Sequence, residues 1–126
     1  MRHLGIDYGT KRVGLALSDE SGTMAFPAVV LENNNELVKA VAQVIEDESV
    51  EAVVIGHSKN LDGEDNKVQA GVEAFMQELT LQVPIPIHLE PEFYSTQEAI
   101  RFQGRTKDTD AAAAAVILNS YLLKQH

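Results

Sequence analysis

Three acidic side chains stand apart from the other carboxylates of this 126-residue chain, because each lies beside the end of a predicted strand or helix. Asp7 closes a short apolar run, Glu92 follows the last predicted strand, and Asp110 precedes an alanine-rich stretch. Functional groups in open sheets gather at strand ends and in the adjoining loops, so one fold could bring the three acids together. Clustered carboxylates repel one another and would need a cation to stay ionised side by side.

A set of carboxylate oxygens without any cysteine suits Mg²⁺ or Mn²⁺ rather than zinc. Two such ions would activate a water and stabilise the leaving oxygen in phosphodiester hydrolysis. Each acid also has an ordinary structural interpretation: Asp7 as an Asx turn, Asp110 as a helix N-cap, and Glu92 as an exposed surface acid. The residues alone leave both interpretations open.

The elements that must position these acids begin with three strands and continue with alternating helices and strands. The first two strands predict a β-hairpin, and Pro27 beside the third indicates an edge position or the first residue of that strand. Residues 33–35, all asparagine, offer N-caps for the first helix, and a polar loop is predicted over 57–66. Predicted strands cover 4–6, 13–17, 28–31, 53–56 and 85–89, and predicted helices cover 37–45, 67–81, 95–104 and a last segment after Asp110.

This order, β-β-β-α-β-α-β-α-α, predicts an α/β fold of three layers, with a mixed sheet between helices. The apolar run at 53–56 indicates a strand buried on both faces. A length of 126 residues predicts one domain over 1–126. With no cysteine in the chain, a disulfide framework, a thiolate zinc site and cysteine catalysis are excluded.

The charge of the chain is uneven along the sequence. The net charge of −9 argues against an indiscriminate nucleic-acid binder. Residues 24–80 carry three basic and eleven acidic side chains, so eight of the nine excess negative charges lie there. A neutral or basic face therefore remains possible in the terminal segments, where five basic residues cluster: Lys11, Arg12, Arg101, Arg105 and Lys107.

The start of the sequence lacks a signal-peptide pattern, and no apolar run approaches the roughly 18 residues of a membrane span. The absence of cysteine fits a reducing compartment. These features predict a cytoplasmic protein with no membrane partner.

The opening block, residues 4–19, resembles the start of the YqgF family, whose members are bacterial RNase H-like proteins related in fold to RuvC-type Holliday junction resolvases. The likeness covers essentially the whole chain in the right order. It continues through 53–56, 60–63, 95–99, Asp110, 113–114, 117–118 and 121–122.

The resemblance implies an RNase H-like three-layer fold, in which a mixed five-stranded sheet has helices on both faces. It also implies a metal-dependent nuclease that processes the 5′ end of pre-16S rRNA, with Mg²⁺ or Mn²⁺ as cofactor. By position, the catalytic and metal-binding triad of the family falls on Asp7, Glu92 and Asp110. The chain departs from the family where Pro91-Glu92-Phe93 replaces Asp-Glu-Arg, where Ser58 replaces a common proline, and where the basic segment before Asp110 is shortened.

The expected partner is a structured nucleic acid, with RNA favoured over branched DNA, bound by a monomer or a homodimer. Basic side chains neutralise phosphates and supply much of the affinity for nucleic acids. The residues expected to contact the nucleic-acid backbone are Thr10, Lys11, Arg12, Lys59, Asn60, Arg105 and Lys107.

Three alternatives remain beside this hypothesis. A Holliday junction resolvase would need a two-fold dimer to cut paired strands symmetrically. The loss of the arginine and of basic residues before Asp110 would also suit a non-catalytic nucleic-acid-binding module. Residues 7–10 are similar to the first phosphate motif of actin- and hexokinase-like ATPases, but those proteins use two such domains to enclose ATP.

Overall fold

A mixed β-sheet forms the centre of the fold. Residues 1–9, 11–57, 65–91 and 107–125 are described by a computed structural model, with 57, 65–69, 91, 107–110 and 125 described by their backbone alone. Within these ranges five strands form one sheet in the order β3-β2-β1-β4-β5. The strands are β1 (His3–Tyr8), β2 (Arg12–Ser18), β3 (Ala25–Glu32), β4 (Ala52–His57) and β5 (Ile87–Pro91).

Three helices of the described ranges cover the two faces of this sheet, so that the predicted three-layer α/β fold is confirmed. They are α1 (Leu37–Asp47), α2 (Asp65–Gln82) and α3 (Lys107–Gln125). The predicted β-hairpin is also confirmed, because β1 pairs antiparallel with β2. Strands β1, β4 and β5 pair in parallel, so their carboxyl ends lie at one edge of the sheet.

Large aliphatic side chains fill the layer between the sheet and helices α1 and α2. Successive residues of a strand point to opposite faces, so Leu4 and Ile6 of β1 point into this layer while Gly5 does not. In α1, the buried residues recur at helical spacing, as the sequence predicts. The buried cluster consists of Leu4, Ile6, Val13, Leu15, Leu37, Val38, Val41, Ile45, Val50, Val53, Ile55, Val72, Phe75 and Leu79.

Small side chains line the opposite face, where α3 packs. A Cβ atom added to Gly5 would lie 2.7 Å from the Cβ atom of Leu118 and 2.9 Å from the carbonyl oxygen of Ala114. The helix therefore approaches the strand closely enough that only glycine fits there. The buried residues of this second layer are Ala16, Ala25, Val54, Ala114, Ala115, Ile117, Leu118 and Leu122. Because Val53 and Val54 enter different layers, β4 is buried on both faces, as predicted.

Every strand is longer than predicted or shifted, and β3 and β5 differ most from the prediction. Strand β3 covers Ala25–Glu32 rather than 28–31, because the pairing continues past an irregularity opposite Leu15 and Ala16. Its place at the edge of the sheet tolerates Pro27, which has no N–H to donate. Strand β5 covers Ile87–Pro91 rather than 85–89, and the carbonyl oxygen of Pro86 accepts a hydrogen bond from the Val53 amide just before it begins.

The helix boundaries also shift. The N-cap of α1 is Glu36, which makes no side-chain cap hydrogen bond, so the caps predicted at 33–35 are wrong. Helix α3 begins at Lys107, which places Asp110 in its first turn rather than at the N-cap. His57 belongs to β4 and α2 begins at Asp65, so both ends of the loop predicted over 57–66 are wrong, and 58–64 lie outside the described residues. The helix predicted over 95–104 lies outside the described residues.

None of the helices within the described ranges combines the length and the apolar character that a membrane-spanning helix needs.

Candidate active site

Asp7 is a buried carboxylate at the carboxyl end of β1, with only 7% of its surface exposed. It lies inside the strand, so the backbone pairing with β2 and β4 sets its position. The residues beside it in register are both glycines, Gly14 on β2 and Gly56 on β4. The register partners of Asp7 on the two neighbouring strands therefore place no side chain beside its carboxylate.

Asp7 is a buried acid on the face of the sheet that α3 covers. Burial of a carboxylate is costly unless hydrogen bonds or a positive charge compensate it. The side chain of Asp7 is on the same face of the sheet as Gly5, two residues earlier, which packs against α3. Among the side chains that the structure describes, no group of three or more acids and histidines is close enough to hold a metal ion.

Helix α3 runs antiparallel to β1, which determines where its first turn lies. Tyr121 contacts the ring of His3 near the start of β1, and Ala114 and Leu118 lie over Gly5. The first turn of α3 therefore lies toward the end of β1 that carries Asp7. Asp110 belongs to that turn.

The third predicted acid follows the third parallel strand. Strand β5 ends at Pro91, which pairs with His57 at the end of β4. The strand thus brings the chain to the same edge of the sheet as Asp7. Glu92 is the next residue, and it lies outside the described residues, so its role stays a prediction.

Glu90 is a second buried acid on this face, and the sequence reasoning missed it. Only 4% of its surface is exposed, and it pairs in register with Gly56. Its Oε1 accepts a hydrogen bond from the Lys124 ammonium at 2.5 Å and one from the Ser120 hydroxyl at 3.4 Å. Both donors lie on α3, 30 and 34 residues further along the chain, so local sequence patterns could not identify this contact.

Glu90 and Asp7 both pair in register with Gly56, on opposite sides of it, but the two carboxylates are separated by an apolar side chain. Gly56 stands between them, and a Cβ atom added there would lie 2.2 Å from Cδ1 of Ile117. The apolar side chain of Ile117 therefore covers the strand between the two acids. We interpret Glu90 as a structural tie between β5 and the last turns of α3.

The residues predicted to contact a nucleic-acid backbone fall into two groups. Lys11 lies in the turn between β1 and β2, and Arg12 is the first residue of β2; Lys11 is exposed and Arg12 is half-buried. Lys107 is the first residue of α3, in the turn that also contains Asp110. The others, Thr10, Lys59, Asn60 and Arg105, lie outside the described residues.

Known structures share this fold at low sequence identity. RuvC from T. thermophilus, in complex with a Holliday junction substrate, matches with a TM-score of 0.65 and 15% identity, over 99% of this chain and 96% of that one. The resolvase of Fowlpox virus with Holliday junction DNA matches with a TM-score of 0.58 and 12% identity, over 99% of each chain.

A sugar kinase shares the same core. The ROK hexokinase from Thermus thermophilus matches with a TM-score of 0.51 and 20% identity, over 85% of this chain but only 39% of that one. The likeness concerns the fold alone, and the larger part of the hexokinase has no counterpart in these 126 residues.

Curated proteins are more similar to this chain in sequence than these solved structures are. A protein of Maridesulfovibrio salexigens is 37% identical over 98% of this chain and 99% of its own length, and one of Caldanaerobacter subterraneus is 36% identical over 99% and 98%. Both carry the name "putative pre-16S rRNA nuclease". A family model described as "RuvX: Holliday junction resolvase" matches residues 1–124. The chain therefore belongs to the RuvX family, also called YqgF, as the resemblance of its opening block indicated.

Proposed function

We propose that this protein is a metal-dependent nuclease that hydrolyses phosphodiester bonds of structured RNA, in the processing of the 5′ end of pre-16S rRNA. The observation that carries the proposal is the position of Asp7. It is a buried carboxylate between two glycines at the carboxyl edge of the parallel strands, on the face that α3 covers. The family membership and the names of the relatives support the same chemistry.

In this proposal Asp7, Glu92 and Asp110 hold Mg²⁺ or Mn²⁺. The donors are carboxylate oxygens, which these ions prefer, and Asp7 is a buried carboxylate at the carboxyl ends of the parallel strands. A divalent ion bound there would supply Lewis-acid chemistry, since it activates water and neutralises charge on the phosphate.

The residues of the chain supply position and charge. The sheet holds the Asp7 carboxylate in a fixed place, because β1 is hydrogen-bonded on both sides. Lys11 and Arg12 in the adjacent turn would bind phosphates of the strand to be cut, with Thr10, Lys59, Asn60, Arg105 and Lys107 as further contacts.

RNA is favoured over branched DNA because the full-length relatives carry the name of an rRNA nuclease. A Holliday junction resolvase is the second candidate. The description of the family model and the RuvC and Fowlpox resolvase structures favour it. A resolvase would act as a two-fold dimer, whereas RNA processing needs no dimer, so the oligomeric state helps to distinguish the two.

The experiment is a cleavage assay with three labelled substrates and with Mg²⁺, Mn²⁺ or no divalent ion. The substrates are a precursor-rRNA 5′ fragment, an unstructured single-stranded RNA and a four-way DNA junction. We expect metal-dependent cleavage of the rRNA fragment. Asp7→Asn should lower the rate by more than the roughly 10- to 100-fold that changes in the outer shell of a metal site produce.

Each other result has a distinct meaning. Preferred cleavage of the junction would establish the resolvase alternative. Binding without cleavage under either metal would establish the non-catalytic binding module. Equal cleavage by Asp7→Asn and by the unchanged protein would refute the assignment of Asp7, provided that the variant preparation is free of contaminating nuclease.

A further inference from the structure

Asn33, in the segment after β3, contacts the turn between β1 and β2 through two hydrogen bonds. Its side-chain Nδ2 donates to the carbonyl oxygen of Gly9 at 2.7 Å, and its backbone amide donates to the carbonyl oxygen of Lys11 at 2.9 Å. One half-buried residue, 24 positions away from Gly9 in the sequence, thus contacts two carbonyl groups of this turn.

The turn that Asn33 contacts is tight. The last pair of the β1–β2 ladder is Tyr8 with Val13, so the chain reverses within a few residues. A Cβ atom added to Gly9 would lie 2.5 Å from the carbonyl oxygen of Arg12, which is backbone and cannot rotate away. Glycine permits the reversal, and Asn33 then binds carbonyl groups that point out of it.

The side chain of Asn33 has no part in starting the next helix. The N-cap of α1 is Glu36, and the backbone amide of Glu36 binds Oδ1 of Asn34 at 2.9 Å. Asn34 therefore makes the local contact at the approach to the helix, while Asn33 makes a long-range contact to the turn. The two adjacent asparagines have the same chemistry and different partners.

We propose that Asn33 is a positioning residue for nucleic-acid binding, which holds the turn bearing Lys11 and Arg12 in the conformation that contacts phosphates beside Asp7. The proposal rests on the function proposed above. A turn ordered before binding loses less conformational freedom when the substrate arrives. Without the Nδ2 donor, the carbonyl group of Gly9 loses this partner and the turn is less restrained, while the carboxylate of Asp7 stays in the sheet.

The test compares Asn33→Ala with Asn34→Ala. Among the described residues, each variant loses one side-chain hydrogen bond and no charge, but only Asn33→Ala loses a contact to the turn. For Asn33→Ala we expect the KM for the cleaved substrate to rise about two- to tenfold, the range that a net hydrogen bond corresponds to. The kcat and the metal concentration for half-maximal rate should stay unchanged, and Asn34→Ala should match the unchanged protein in all three.

A binding measurement separates this proposal from the proposed function. The same substitutions are made in the Asp7→Asn background, and the Kd for the labelled precursor-rRNA 5′ fragment is measured by fluorescence anisotropy with Mg²⁺ present. Weaker binding only with Asn33→Ala supports the positioning role even if no substrate is cleaved. If Asp7→Asn binds none of the three labelled substrates, the proposed function and this inference both fail.

Other outcomes overturn the inference alone. Equal KM and Kd values for the two alanine variants would show that the contact to Gly9 does not position the turn. A fall in kcat at constant KM would place the effect on the chemical step instead. Thermal unfolding checks that each variant is folded, and Asn33→Leu, which keeps the approximate size of the side chain and adds no charge but cannot donate, repeats the test if Asn33→Ala does not fold.

Discussion

The two faces of the sheet are built from side chains of different size. Toward α1 and α2 the strands present large aliphatic residues such as Leu15 and Ile55, which are both fully buried. Toward α3 they present glycine and alanine, together with the buried acids Asp7 and Glu90. One face thus derives its stability from buried apolar volume, and the other brings a helix close to a strand that carries a carboxylate.

The two faces therefore tolerate different substitutions. A face filled by large side chains is sensitive to their truncation, because a cavity remains. A face where a helix touches the backbone of a strand is sensitive to larger side chains at the contact, because an added group can fit only if the helix or the strand shifts. Truncation and enlargement therefore separate the two faces experimentally.

The largest expected effect on stability is from truncation in the aliphatic layer. Ile55→Ala should lower the free energy of unfolding by about 2–5 kcal/mol, because a fully buried side chain is replaced by a cavity. Urea unfolding measures the loss. Val116→Ala on the outer side of α3, where the side chain is 46% exposed, is the control and should change little. Equal losses for the two variants would contradict the comparison.

Enlargement on the α3 face is expected to cost less than that truncation. Gly5→Ala should lower the free energy of unfolding by about 1–3 kcal/mol, because its Cβ meets Ala114 and Leu118. It should also slow cleavage, since α3 carries Asp110. Gly71→Ala in α2 is the matched control, because the atoms nearest to its Cβ would belong to the side chain of Tyr8, at 3.0–3.3 Å, and not to a backbone. The control should gain up to about 1 kcal/mol of helix propensity, and a larger loss in the control would refute the prediction.

A smaller effect is expected at the amino end of β1, where His3 lies against Tyr121 with ring centroids 5.8 Å apart. Burial is the main reason why the pKa of His3 is below its ordinary value, with minor contributions from the N-terminal ammonium group and His88, opposed by the Met1 carbonyl and Glu51. The unfolded chain then binds a proton more readily than the folded one, so stability should fall as the pH drops below about 6.5.

Thermal unfolding measured between about pH 7.5 and about pH 5.5 checks this expectation, because the loss of stability should begin near the ordinary pKa of histidine, which lies within this range. His3→Gln should weaken the dependence of the midpoint on pH. His88→Gln, which removes the other ring beside Tyr121, controls for lost ring contacts. The same pH dependence in His3→Gln and in the unchanged protein would show that another group is responsible.

Much of the fold follows from local patterns in the sequence. The apolar runs of β1, β2 and β4 and the spacing of Leu37, Val41 and Ile45 in α1 depend on neighbouring residues, and their elements were predicted correctly. The ends of β3 and β5 depend on which strand pairs with them. Those boundaries were wrong for that reason.

The residues of the candidate site likewise include one that a local pattern predicts and two that depend on distant contacts. Asp7 was found because it ends an apolar strand, which is a local signal. Glu90 and Asn33 were missed, because their partners lie on α3 and in the β1–β2 turn, far along the chain. Glu90 alternates with apolar residues as an exposed strand residue would, and Asn33 resembles a cap because it precedes a helix. Neither contact can be predicted without the register of the sheet.

The most direct test of the account compares the two buried acids of the α3 face in one assay. Single-turnover cleavage of the preferred substrate is measured for Asp7→Asn and Glu90→Gln with saturating Mg²⁺. Because Ile117 covers the strand between them and Glu90 binds Lys124, the account predicts that cleavage is lost in Asp7→Asn and retained in Glu90→Gln. Retained cleavage in Asp7→Asn, or equal loss in both variants while both remain folded, would contradict it.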